Sequence, residues 1–147
     1  MRFNYKIIPV DQPHPAFPRV TSNWVPILPV RLSSGHSRQT PRLEAIVDSG
    51  AADCLFQASI AAYLGLRLER GIKGTAAGIA AGVRIDVYYH DINLWVGADM
   101  IRITAGFASA LPVAALLGRH GFFENFIITF DPSASPPGFE IQRVGRA

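Results

Sequence analysis

The chain contains one cysteine, Cys54, in 147 residues. No intrachain disulfide can form, and the four histidines (His14, His36, His90 and His120) are scattered at no spacing that suggests a zinc site. No apolar run approaches the ~18 residues of a membrane span. The opening Met1-Arg2-Phe3-Asn4-Tyr5-Lys6 lacks the apolar stretch of a signal peptide. The expectation is a cytoplasmic protein with no membrane partner. Runs of like charge are also missing. The net charge is +3, and residues 1–47 carry six Arg/Lys against Asp11 and Glu44, yet prolines and apolar residues keep these charges apart. Without a basic stripe interleaved with aromatics, no nucleic-acid partner is expected.

Strand-and-turn sequence fills the chain instead. With 49% hydrophobic and 17% charged residues it fits one globular domain that buries a core, and its eleven Pro and thirteen Gly fall as punctuation between short apolar runs. Residues 1–22 hold Pro9, Pro13, Pro15 and Pro18, which exclude helix, so this stretch reads as an extended lead-in to a domain over 23–147. Val25 to Leu32 is rich in β-formers, and its two prolines suit an edge strand. Leu43 to Val47 reads as a buried strand ending at Asp48. Gln57 to Leu64 has helical spacing and stops at Gly65, a suitable C′ glycine.

Downstream, Gly71, Gly74, Gly78 and Gly82 break the chain before β-like sequence resumes over Val83 to Val96, which reads as a glycine-softened hairpin. Ile101 to Phe107 is a further strand, Val113 to Leu117 an apolar run, and Gly121 to Asn125 a turn or one helical turn. Phe126 to Phe130 and Phe139 to Ile141 flank a long turn in the manner of a hairpin. Many short strands and one or two short helices predict a mainly β fold, a small closed barrel.

Asp48-Ser49-Gly50 taken alone is a turn signal, since Asp and Ser bond locally to backbone and Gly relaxes its conformation. Its surroundings are more specific. The apolar strand Ala45-Ile46-Val47 precedes it, Ala51 and Ala52 follow it, the glycine-rich hairpin comes next, and Leu116-Leu117-Gly118-Arg119 stands some seventy residues on. With these parts in this order, from Val25 to Ile141, the sequence resembles the retropepsin-like aspartic proteases, the retroviral proteases and their single-domain bacterial relatives. The stretch from Gly118 through Phe126 to Asp131 is similar to the bacterial members.

The resemblance implies a β-barrel of the acid-protease type whose active-site loop is Asp48-Ser49-Gly50-Ala51. Gly71 to Tyr89 is the counterpart of the flap, with Gly74, Gly78 and Ile79 as residues that cover substrate; for Ile79 a flap tip and an ordinary loop residue both stand open. Leu116 to Arg119 matches the segment that crosses beneath the catalytic loop, so Gly118 and Arg119 would support it. The implied activity is that of an aspartic endopeptidase acting on polypeptide, with neither metal nor organic cofactor. Such chemistry uses two close carboxylates that share one proton, one acting as base on water while the other donates to the scissile carbonyl. Gly50 would offer its N–H to a carboxylate, Ser49 would bond across to a partner subunit, and Ala51 would leave room for substrate. None of the other aspartates is followed by Ser/Thr-Gly, so one chain supplies one carboxylate, and a C2 homodimer with the site on its interface supplies the second. The alternative is a catalytically inactive module of the same fold that binds peptide or protein.

The chain departs from the family pattern at two places. Retroviral relatives carry acidic residues at the fourth and fifth positions after the catalytic Asp, where Ala52 and Asp53 stand here. Asp53 is therefore a candidate ion-pair partner of Arg119 or a contact to substrate backbone, and a plain surface aspartate otherwise. His120 takes the place of an Asp or Asn, either adding pH dependence near neutrality or acting as a satisfied loop residue. Cys54 has no histidine base at a suggestive spacing and reads as a small core residue, and Trp24 and Trp95 read as packing groups.

Overall fold

In a computed structural model that describes residues 1–35, 37–77 and 82–145, short strands follow one another with a single α-helix among the described residues. The strands are β1 (Arg2–Asn4), β2 (Lys6–Pro9), β3 (Ser22–Val25), β4 (Ile27–Ser33), β5 (Leu43–Val47) and β6 (Leu55–Gln57). Helix α1 (Ala58–Tyr63) comes next, then β7 (Ile72–Ala77), β8 (Arg84–Val96), β9 (Asp99–Ala108), β10 (Ala115–Leu117), β11 (Phe126–Asp131) and β12 (Gly138–Arg143).

Alternation builds the core. Leu28, Val30 and Leu32 of β4, Ala45 and Val47 of β5, Ile92, Leu94 and Val96 of β8, and Ile101, Ile103, Ala105 and Phe107 of β9 are all buried at every second position. The period of two sends one face of each strand inward. The strands run in the order β4-β5-β10-β6-β9-β8-β7, and β4 also pairs with β8, so six of them close into a barrel with β7 hung on the outside of β8. This is the closed, mainly β barrel with one short α-helix that the sequence pattern predicts.

The closure corrects the reading of Val25–Leu32 as an edge strand. The chain breaks at Pro26 into β3 and β4, and β4 gives Ile27–Val30 to β5 and Arg31–Ser33 to β8. Its Pro29 is tolerated for a geometric reason. Because Val47 N–H donates to the Pro26 carbonyl (2.9 Å), the antiparallel register makes Pro29–Glu44 a non-hydrogen-bonded pair, and the missing N–H of Pro29 faces away from β5. The far half of the strand is welded by Ser33, whose buried hydroxyl accepts from Trp95 Nε1 at 2.9 Å. Trp95 thus packs in the closure, whereas Trp24 is 51% exposed on the separate β2–β3 ribbon.

Residues 1–22 hold no helix, but they are not one extended lead-in: β1 pairs with β12, β2 pairs with β3, and the proline-rich stretch between β2 and β3 turns twice, with Phe17 N–H on the His14 carbonyl (2.8 Å) and Val20 N–H on the Phe17 carbonyl (3.0 Å). The β11–β12 hairpin pairs within the chain, and with β1 it makes a second, three-stranded sheet. Helix α1 is two residues shorter than the sequence spacing suggests because Gln57 belongs to β6 and Leu64 is the C-cap. It closes as expected, with Gly65 at φ +72°, Gly65 N–H on the Ala62 carbonyl and Leu66 N–H on the Ala61 carbonyl, the paired bonds of a Schellman motif.

Candidate active site

Strand β5 runs between β4 on one side and β10 on the other, with Ala45, Ile46 and Val47 level with Ala115, Leu116 and Leu117. The pairing reaches one bond past the end of β5, where Asp48 N–H donates to the Leu117 carbonyl at 3.0 Å. There the chain turns, closed by Ala51 N–H on the Asp48 carbonyl (3.1 Å). Gly50 N–H donates to Asp48 Oδ1 at 2.8 Å, the bond to a carboxylate that was expected of this glycine. Gly50 does not adopt a positive φ; a Cβ on it would stand 3.1 Å from Asp48 Oδ1, so its smallness here serves the carboxylate. Asp48 is half-buried, while Ser49 and Gly50 are exposed.

The segment after β10 locks this turn from below. Arg119 N–H donates to the Ala51 carbonyl (2.9 Å) and His120 N–H to the Ala52 carbonyl (2.8 Å). Gly118 is buried between them, and a Cβ there would overlap the Asp53 carbonyl and come within 2.8 Å of the Ala51 carbonyl oxygen. Only glycine lets the two backbones approach this closely. Arg119 Nη1 donates to the Ser49 carbonyl at 2.9 Å and to the Gly50 carbonyl at 3.2 Å. Gly118 and Arg119 therefore both bear on the Asp48 turn.

Asp53 has different partners from the one expected. In place of an ion pair with Arg119, its Oδ1 meets His120 Nδ1 at 2.9 Å and its Oδ2 accepts from the Tyr89 hydroxyl at 2.9 Å. Arg119 is taken up by the turn carbonyls, and Asp53 meets the next residue, His120, instead. Burial, and then the neighbouring Asp53 carboxylate, push the Tyr89 phenol up to about 12, so it stays a donor across the neutral range. Cys54 is fully buried, with its Sγ 3.4 Å from the His120 carbonyl, and burial pushes its thiol up to about 11. A thiol held protonated in this way is a core group rather than a nucleophile.

Residues 71–89, expected to be the counterpart of a flap, fall on the outer hairpin of β7 and β8. Gly74 lies in β7 opposite Val87, and a Cβ on it would come 2.9 Å from Tyr89 Cε2, so it makes room for a ring. Gly78 and Ile79 lie outside the described residues. No cluster of three or more His, Cys, Asp or Glu that could hold a metal occurs among the described residues. Among the described residues no helix is long and apolar enough to cross a membrane.

Sequence reasoning missed Tyr89. A signal was present in Gly74 and Gly106, since glycine inside a strand marks a place where another group approaches closely.

No protein-family profile matches the sequence. No curated protein matches it either. Solved structures do resemble it. A retropepsin-like aspartic protease from Rickettsia conorii superposes with a TM-score of 0.55 at 16% identity, covering 78% of this chain and 89% of its own. EIAV protease in complex with the inhibitor HBY-793 gives 0.47 at 21% identity, over 65% of this chain and 82% of that one. The retroviral protease-like domain of Ddi1 from Leishmania major gives 0.43 at 20% identity, over 64% and 73%. The likeness to the Rickettsia structure shows that the barrel described above is the retropepsin fold.

Proposed function

We propose that this chain is an aspartic endopeptidase that works as a homodimer, Asp48 of each subunit activating water for attack on a peptide bond. The observation that carries the reading is the state of Asp48: half-buried at the end of β5, with Oδ1 held by the Gly50 N–H, in a turn whose outer residues are open. One chain carries one such turn. Two of them facing across a two-fold axis would bring the carboxylates together so that they share a single proton, one taking a proton from water while the other protonates the scissile carbonyl. Ser49, exposed beside Asp48, would bond across that axis, and the small Ala51 would leave space for substrate. Gly118 and Arg119 keep the turn in shape.

The substrate in this reading is an extended polypeptide, which the β7–β8 hairpin would cover, excluding water and adding main-chain hydrogen bonds. With one buried, unpaired cysteine the protein has no need of an oxidising compartment, which supports a cytoplasmic setting.

The test is hydrolysis of a mixed peptide library by the wild type and by Asp48→Asn, with the oligomeric state followed by sedimentation. Cleavage by the wild-type dimer alone, falling away on dilution below its dissociation constant, is the expected result. Equal cleavage by both proteins, or none by either across acid and neutral pH, overturns the reading. Peptide retained without cleavage would instead identify an inactive binding module.

A further inference from the structure

We propose that Asp53 is a positioning residue that ties the outer β7–β8 hairpin to the catalytic turn, with Tyr89 and His120 as its two partners. As regards catalysis the inference rests on the aspartic-protease reading; its structural content does not.

Strand β7 pairs with β8 and with no other described strand, so the hairpin is held to the barrel along one edge. Tyr89 crosses from that edge. Its ring lies in a slot made by two glycines, since a Cβ at Gly74 of β7 would come 2.9 Å from Cε2 and a Cβ at Gly106 of β9 would come 3.2 Å from Cε1. The slot aims the hydroxyl at Asp53 Oδ2, 2.9 Å away. Asp53 follows Asp48 by five residues and is itself anchored: its carbonyl lies against Gly118, it bridges His120 in parallel pairing, and Oδ1 takes the His120 ring at 2.9 Å. A continuous path therefore runs from the outer hairpin through one phenol and one carboxylate to the backbone that clamps the Asp48 turn. Hydrogen bonds to an ionised carboxylate are stronger than those between neutral groups, and two on one carboxylate fix its rotamer. The hairpin is thereby tied at Tyr89 to the segment that follows the Asp48 turn.

The test compares Tyr89→Phe and Asp53→Ala with the wild type by amide hydrogen exchange and peptide-hydrolysis kinetics; Asp53→Asn serves as the conservative variant, because its amide oxygen can still accept from Tyr89. Exchange in β7 and the paired half of β8 is expected to quicken about tenfold in Tyr89→Phe and Asp53→Ala, the equivalent of ~1.4 kcal/mol, with β9 and β10 unchanged and with recovery in Asp53→Asn. KM should rise about tenfold while kcat holds, since a displaced hairpin loses binding common to ground and transition states. The double variant should be no worse than Asp53→Ala. Unchanged exchange in β7, or protection lost equally in β9 and β10, overturns the tie. Because exchange is read without substrate, a chain that cleaves nothing would refute the protease reading and still answer this question.

Discussion

Asp48 and Arg119 hold opposite ends of one peptide unit. The Ser49 carbonyl accepts from Arg119 Nη1 at 2.9 Å, and the N–H of the same peptide, on Gly50, donates to Asp48 Oδ1 at 2.8 Å. A cation on the oxygen side polarises the amide toward the carboxylate on the other, so the two bonds reinforce each other.

Arg119→Lys tests that relation. A lysine keeps the charge but replaces the guanidinium nitrogen Nη1, which alone reaches both turn carbonyls, with a compact, strongly hydrated ammonium on a differently shaped stem. Peptide hydrolysis is expected to fall by about 10²-fold, the scale of a catalytic group shifted by ~1 Å. Stability should fall by only about 1 kcal/mol, because the bonds are exposed. Parallel kcat and urea-denaturation measurements decide; an unchanged kcat removes Arg119 from the support of Asp48.

Gly118→Ala forces apart the two backbones that hold the turn. The added methyl meets the Asp53 and Ala51 carbonyls, which are backbone and cannot swing aside. A loss of about 3 kcal/mol or more is expected, at the upper end of overpacking effects. A urea midpoint equal to the wild type's would show that the crossing can relax.

Alkaline stability follows from two protonated groups. The Cys54 thiol goes from an ordinary 9.0 to about 11 in the folded chain, so the unfolded chain ionises first. The contribution is complete below pH 9 and declines as pH rises toward 11, reaching about 3 kcal/mol in all. Tyr89 acts with the same sign between its ordinary 10.0 and about 12, with a smaller effect because it is less buried. Denaturation at pH 8, 10 and 11 should show stability falling, and Cys54→Ala should flatten the fall. An equal slope in that variant would assign the loss to other groups.

Phe122→Ala should cost about 3–5 kcal/mol. The ring is fully buried, 5.1 Å from Phe126 and 5.5 Å from Phe123, although it sits in the short turn after His120. Calorimetry reads this directly, and a loss below about 1 kcal/mol would mean that its neighbours close the gap.

Phe122 also shows where sequence reading stops. The 121–125 segment shows neither period two nor a full helical period, so nothing local says which of its aromatics turns inward. By contrast, the alternation along β8 and β9 needs only neighbouring residues, and so does the Schellman close at Gly65; both are where the sequence puts them. The two prolines of 25–32 argued for an edge, and that reading failed because it lacked the register. A proline costs a ladder bond only where its N–H would face a neighbour, and Pro29 faces none.

By itself, then, the sequence determined the buried strand before Asp48, the alternation of β8 and β9, the helix stop and the Asp48-Ser49-Gly50 turn, all matters of short-range periodicity and turn stereochemistry, while it gave no sign of the short strands β1, β2 and β6. Tertiary structure alone decided that β4 closes the barrel, that β1 joins the β11–β12 hairpin in a second sheet, and that Asp53 takes His120 and Tyr89 in place of Arg119. The physical reason is separation along the chain. Tyr89, Asp53 and His120 lie more than thirty residues from one another, and only the packing of strands around one core sets which of them come within 3 Å.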